Sequence, residues 1–310
     1  MMFRTTLGVM LASMFFPPFA PAQEKSVNPG INKSFEKPSP EEYVKKFEVE
    51  SREVAANAKQ IVDACKLKPG MAVADVGSGT GLFTRKFAAE VGKDGKVYAV
   101  DIAPAFLKHV AKTSDEAGLK NVHTIQCDQF STKLPKNSVD LVFVCDTYHH
   151  FEFPQRTLQS IHEALKPKGT FIVIDFQRIE GKSTDFIMKH VRAGKETFVK
   201  EILAAGFKVA SEEQFLKENY FIRFEKIERA EEKGGRSAKR FQDKLDKSFT
   251  PDKARAIFGA PDRQPGSGLV IFEYDLDDGR CVRLGFPGFQ AVTYAHIIES
   301  NGATSPIPLR

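Results

Sequence analysis

The chain has little excess of charge: 45 Lys and Arg against 40 Asp and Glu leave a formal +5 over 310 residues. The lysines are widely spread and no basic stripe carries interleaved aromatics, which argues against a nucleic-acid partner. Cysteine is sparse, four residues at Cys65, Cys127, Cys145 and Cys281. No two of them stand at metal-ligand spacing, so no metal cluster is expected. A spanning helix needs ~20 apolar residues, and the amino-terminal run Leu7 to Phe16 is about half that before Pro17 and Pro18 end it. No internal repeat and no Ser-His-Asp set is evident. With 42% hydrophobic and 27% charged residues the composition excludes global disorder, and the length suits two domains.

The first residues, "MMFRTTLGVMLASMFFPPFAPAQ", have the layout of a secretory leader. Arg4 supplies a positive start, an apolar stretch follows, and Ala20-Pro21-Ala22 offers a small-x-small cleavage site. A signal peptide is therefore expected over 1–22. Export to the periplasm or beyond follows, with no transmembrane span left after cleavage. Residues 23–40, punctuated by Pro29, Pro38 and Pro40, read as a flexible lead.

"SPEEYVKKFEVESREVAANAKQIVDAC" opens with serine as N-cap, proline at the first helical position and glutamates in the first turn, and predicts one helix. The runs "MAVADV", "KVYAVDI", "NVHTIQC", "VDLVFVCD" and "GTFIVIDF" then alternate with helical stretches. Alternation of this kind predicts a parallel sheet covered on both faces. "FKVASEEQFL" and "NYFIRFEKI" follow one another without a helix and read as a terminal antiparallel pair.

At the end of the first strand stands "VADVGSGTG". Glycine at a strand-to-helix turn lets the backbone approach a ligand where a Cβ would collide. The nicotinamide fingerprint G-x-G-x-x-G would need glycine where Leu82 stands. Asp101 closes the second strand about twenty residues on, placed to accept hydrogen bonds from ribose hydroxyls.

Together these motifs resemble the class I S-adenosylmethionine-dependent methyltransferases over roughly Glu42 to Ile227. The resemblance implies an α/β fold, a doubly wound, Rossmann-like seven-stranded sheet of order 3-2-1-4-5-7-6, and S-adenosyl-L-methionine as cofactor. It gives Asp75 to the methionine end, the backbone of Gly77, Ser78, Gly79 and Gly81 to the floor beneath the cofactor, and Asp101 to the ribose. Ile102 would cover one face of adenine, Asp128 and Gln129 its amino edge, and Cys145 with Asp146 would face the sulfonium. In that order Cys127 and Cys145 end strands three positions apart, roughly 14 Å, beyond disulfide reach.

The acceptor is expected at "CDTYHHF", after the fourth strand. A neutral imidazole there can take a proton, which makes His149 and His150 catalytic candidates beside Asp146, with Tyr148 as a cleft wall. Adjacent residues usually point apart, so one histidine at most is expected to face the acceptor. "HHF.FP" resembles a stretch common in methyltransferases of small molecules, quinones and lipids, where it often shapes a loop, and a small-molecule or lipid-like acceptor is expected. "FIMKHVRAGKE" is either a helix end or a lid whose Arg192 meets an anionic acceptor. Phe47 or Arg52 could cover the cofactor.

The methyltransferase domain is expected over 41–228 and a charged linker over 229–247. A small α+β domain over 248–310 should hold a helix from Thr250-Pro251 to Gly259 and a hairpin, Leu269 to Asp275 and Arg280 to Phe286, turning through Asp277-Asp278-Gly279. The long middle stretch is similar to exported bacterial methyltransferase-domain proteins. The carboxyl-terminal segment resembles small modules of the outer-membrane assembly lipoprotein type, implying a protein partner. Export conflicts with a cofactor made in the cytoplasm. Either the leader is not used and the chain is cytoplasmic, or the cofactor is delivered, or the fold binds something else. The last makes a non-catalytic nucleoside-binding module one alternative; a protein carboxyl methyltransferase is another.

Overall fold

The computed structural model describes residues 23, 25–50, 52–227, 236–259, 261–265, 269–288 and 290–310. The expected signal peptide over 1–22 and the linker residues 229–235 lie outside them. The chain divides into two compact units, Ala22–Arg229 and Ala230–Arg310. Among the described residues no helix is long and apolar enough to cross a membrane.

In the first unit, β1 (Ala72–Val76), β2 (Lys96–Asp101), β3 (Val122–Gln126), β4 (Val139–Cys145), β5 (Leu165–Phe176), β6 (Phe207–Glu213) and β7 (Asn219–Lys226) form one sheet of order β3-β2-β1-β4-β5-β7-β6. The first five strands are parallel, and β7 runs antiparallel to both β5 and β6. This is the order expected from the sequence.

Side chains alternate across a strand, so a run apolar throughout feeds two cores. Val142 and Val144 of β4 enter one, with Leu158, Ile161, Phe198 and Ile202. Leu141 and Phe143 enter the other, with Ile61, Phe83 and Phe87. The first layer comes from α6 (Pro154–Ala164) and α8 (Lys195–Ala204); the second from α3 (Ala58–Cys65) and α4 (Leu82–Val91). The remaining helices of this unit are α1 (Pro40–Phe47), α2 (Glu53–Ala56), α5 (Pro104–Glu116) and α7 (Asp185–His190).

Two expectations near the amino end are corrected. The single helix from Ser39 to Cys65 is three: α1, α2 and α3. Arg52 is extended and precedes α2, and the Ser39 hydroxyl makes no cap hydrogen bond. At this break Arg52 pairs with Asp146. The lead expected to be flexible is docked. Val27 N–H donates to the Glu152 carbonyl at 2.9 Å, Ser26 Oγ to Glu152 at 2.8 Å, and Asn32 Nδ2 to the His150 carbonyl at 3.1 Å.

The second unit holds α9 (Ala238–Lys244), α10 (Pro251–Phe258) and a sheet of β8 (Val270–Asp275), β9 (Cys281–Phe286), β10 (Tyr294–Ile298) and β11 (Thr304–Pro306) in the order β11-β10-β9-β8. The Thr250 side chain caps α10 by accepting from Lys253 N–H, and β8 and β9 pair as the expected hairpin. Part of the stretch read as linker is core: Phe241 and Leu245 are buried with Phe258, Tyr274 and Phe286, a narrow apolar face masked in the sequence by the charged residues around it.

Phe143 lies wholly buried with its ring 4.9 Å from both Phe83 and Phe87. Phe143→Ala should cost about 3–5 kcal/mol of the first unit's stability. With no tryptophan in the chain, urea unfolding followed by circular dichroism is the measurement. A loss below 1 kcal/mol would show that this layer does not hold the sheet.

Candidate active site

The carboxyl ends of β1, β2 and β4 open onto one cavity of about 570 Å³, where ligands of open α/β sheets bind. Of the residues singled out from the sequence, Asp75, Gly77, Ser78, Gly79, Asp101, Ile102, Asp128, Gln129, Cys145, Asp146, His149 and His150 all line it. Gly81 does not. It is the residue just before α4, at φ +83°, and a Cβ there would press on Val110 at 2.8 Å. Its role is therefore in the turn and its packing.

The loop after β1 is built without side-chain bulk. At Gly77, φ is +75° and a Cβ would stand 2.3 Å from the Thr147 side chain. The loops following β1 and β4 thus interlock. The Gly79 N–H donates to Asp101 at 2.9 Å, and Ala103 N–H donates to its other oxygen at 2.8 Å. Burial raises the Asp101 pKa above the usual carboxylate range against the pull of these N–H donors. Asp75 accepts from the Thr84 hydroxyl at 2.6 Å. Burial pushes its pKa up to about 7, helped by Asp101 and opposed by Thr84.

Ile102, 37% exposed, presents an apolar face, and the Ser78 hydroxyl is buried without a hydrogen-bond partner. Asp128 Oδ1 accepts from the N–H groups of Phe130 and Ser131 at 2.8 and 2.9 Å, while Lys133 pairs with the other oxygen. A bare backbone turn, an acid at the next strand end, an apolar wall and an orphan hydroxyl fit a nucleoside with a charged tail.

Beyond Cys145 the chain turns sharply. Asp146 has φ +46°, and its carboxylate is engaged by Arg52 and, at 2.5 Å, by Asn219 Nδ2. Acting as a base would require breaking that pair. Burial raises the pKa of Asp146, with Arg52 opposing, and drives that of the Cys145 thiol well above its ordinary value.

Tyr148 is a correction: its ring is fully buried and its hydroxyl donates to Glu201 at 2.9 Å, so it belongs to the core and not to the cleft wall. Arg192 is another. Its terminal nitrogens grip Glu201 at 2.9 and 2.6 Å, it covers the Phe198 ring, and it does not line the cavity where an acceptor would sit.

The expectation that one histidine at most faces the cavity is overturned. Tyr148–His150 is a 3-10 turn, and the His149 and His150 rings lie 4.3 Å apart, both lining the cavity. His190, the last residue of α7, joins them at 5.0 and 5.1 Å. His149 Nδ1 is 2.8 Å from Asp175, a fully buried carboxylate on β5, which also accepts the His149 N–H at 3.1 Å.

Burial disfavours the His149 cation, yet Asp175 outweighs it and the pKa ends above the usual imidazole value. Burial, then the two neighbouring imidazoles, push His150 down to about 2. Burial and His149 lower His190. The nearest donor atoms of these three residues fall within 4.8 Å of one another, an assembly no local spacing foretold.

Several lining residues carried no sequence signal, among them Asn32 and Phe35 in the proline-punctuated lead. Asp175, buried behind His149 and outside the cavity lining, had one, being an acid at the end of the apolar run Phe171 to Ile174.

Fold and cavity together define a class I S-adenosylmethionine-dependent methyltransferase domain. The chain belongs to the family described as "Methyltransferase domain", whose model matches residues 67–238, more than half of its length. It is 31% identical over 118 residues to a "Ubiquinone/menaquinone biosynthesis C-methyltransferase UbiE" of Ectopseudomonas mendocina, covering 38% of this chain and 46% of that protein. Against the protein so named from a Shewanella species it is 30% identical over 122 residues, 39% of this chain and 48% of the relative. The chain spans about half the length of the curated relatives it matches. A solved structure, a SAM-dependent methyltransferase from Aquifex aeolicus, superposes with a TM-score of 0.55 at 26% identity, covering 62% of this chain and all of that one.

Gly77→Ala should force a Cβ into Thr147 at a positive φ. It should weaken S-adenosylmethionine binding at least about tenfold, since the turn must move or strain. Calorimetric titration checks this. Unchanged affinity would mean the cofactor does not depend on this turn.

Proposed function

We propose that this protein transfers the methyl group of S-adenosylmethionine to a flat, apolar, hydroxylated ring of the quinol class. The observation that carries the acceptor class is the aromatic wall of the cavity. Phe35, Tyr43, Phe47, Phe176 and Phe186 line it beside the histidines. Tyr43 packs 5.5 Å from Phe35 and 5.0 Å from Phe47. Phe186, 63% exposed, stacks on His190. Aromatic faces favour a planar acceptor through offset or edge contacts, and the names of the curated relatives point to the same class.

On the cofactor side, Asp75 would take the cationic methionine end and Asp101 the ribose hydroxyls. Ile102 would lie against adenine, with Asp128 and Gln129 at its amino edge and Cys145 near the sulfonium. The cofactor supplies an activated methyl group; the chain's task is to align the acceptor, exclude water and favour the acceptor's oxyanion. Of the two candidate histidines, His149 is better suited to hold a proton, because Asp175 stabilises its cation. His150 stays neutral. The reading includes an exported enzyme, supported by the leader-like first residues, and a second unit that binds a protein partner.

An acceptor screen over reduced benzoquinones and naphthoquinones, following S-adenosylhomocysteine release and product mass, tests the reading. Turnover on these and none on catechols or fatty acids is expected. Firm cofactor binding with no turnover on any quinol would overturn it.

The role given to Asp75 has a pH signature. A bound cation favours the carboxylate, so Asp75, with a pKa of about 7, must lose its proton on binding below that pH. Affinity should fall about tenfold from pH 8 to pH 6, with proton release on binding, and Asp75→Asn should flatten the profile. Without ligand the sign is opposite. The unfolded group ionises near 3.8 and the folded one near 7, so this residue's contribution to folding stability falls as pH rises between them. Titrations in buffers of different ionisation enthalpy measure the first effect.

A further inference from the structure

We infer that His149, His150 and His190 form a binding site for a divalent transition-metal ion, with Asp175 as its positioning residue. The three come from two separate segments, the turn after β4 and the end of α7, and converge at the cavity with donor atoms within 4.8 Å of one another. Their ring centroids are 4.3, 5.0 and 5.1 Å apart. Around a tetrahedral ion with bonds of about 2.0–2.1 Å, three imidazole nitrogens stand about 3.4 Å apart and the ring centres about 5 Å. Side-chain rotations that move the nitrogens by roughly 1 Å close the difference.

Two further observations point to a ligand here. His150 Nδ1 is buried and has no hydrogen-bond partner, a cost that a metal bond removes. His149 gives Nδ1 to the buried carboxylate of Asp175 at 2.8 Å. That contact fixes the tautomer and leaves Nε2 as the free donor, the carboxylate–histidine arrangement that orients metal-ligating imidazoles. The donor set is all nitrogen, which suits zinc, cobalt, nickel, copper or iron and not magnesium or calcium.

Three protein ligands leave a fourth position open toward the cavity. Beside the acceptor proposed above, that position would take a hydroxyl oxygen, which gives up its proton to solvent and is held as the oxyanion. The metal and the proton use the same His149 nitrogen and exclude one another. Metal binding itself does not rest on the identity of the acceptor, and its test contains none.

The full chain, without an affinity tag and stripped by chelator, is titrated with Co2+ and followed by visible absorption. One equivalent should bind with the intense d–d bands of four-coordinate cobalt, and Zn2+ should displace it mole for mole. His190→Ala should weaken binding at least 100-fold, and Asp175→Asn by about 10–100-fold, with circular dichroism unchanged. Should His190→Ala unfold, His190→Asn replaces it. The inference is overturned if no stoichiometric cobalt spectrum appears, or if a folded His190 variant binds as tightly as the parent chain. Neither result would touch the quinol reading, which fails only on the acceptor screen.

Discussion

The site depends on a steric constraint: Thr147 occupies the space that a side chain at Gly77 would need. β1 and β4 are neighbours in the sheet, and the loops that leave them meet so closely that a Cβ at Gly77 would lie 2.3 Å from Thr147. This contact sets the glycine turn after β1 against the turn that carries His149 and His150. Methyl transfer from a sulfonium is an in-line displacement, so donor and acceptor must be held in register. One seam between two loops provides the register, and the strands behind it are buried on both faces and resist deformation.

Around the seam, charge is arranged in braced groups. Asp101 is held by two backbone N–H donors, Asp146 by Arg52 and Asn219, and His149 by Asp175. Each partner offsets part of what burial costs a charged group. Asp75 is held by Thr84, through its hydroxyl and its backbone, and among the described residues it makes no ion pair; burial leaves its pKa at about 7. A cationic ligand supplies the missing partner. The cavity's own electrostatics thus favour a positively charged occupant near β1, while its wall near the histidines is aromatic.

The amino-terminal segment shows how much of a site can lie in residues that look like a tether. Prolines and polar residues gave 23–40 the composition of a flexible lead, yet Asn32 holds the His150 carbonyl and Phe35 packs edge-on to the His150 ring at 5.2 Å. Glu48, just past α1, grips Arg85 of α4 at 2.8 and 2.9 Å, so Phe47 lies over Gly79. None of these contacts has a local period, because each joins residues tens of positions apart. The helical pattern is likewise broken at Arg52, which is extended and pairs with Asp146, ninety-four positions away.

The sequence by itself determined the sheet and one side of the cavity. Apolar strands alternating with amphipathic helices admit few layouts, and a glycine turn followed by an acid at the next strand end is a local pattern readable in order. Asp75, Gly77, Ser78, Gly79, Asp101, Ile102, Asp128 and Gln129 line the cavity as a result, whereas Gly81, Tyr148 and Arg192 do not. What only the tertiary structure decided is the histidine cluster and its environment. His190 stands forty residues from His150, Asp175 lies between them on another strand, and a 3-10 turn swings two adjacent imidazoles to the same side. Distances of a few ångströms between such residues are set by crossover connections and turn geometry, which sequence spacing does not encode.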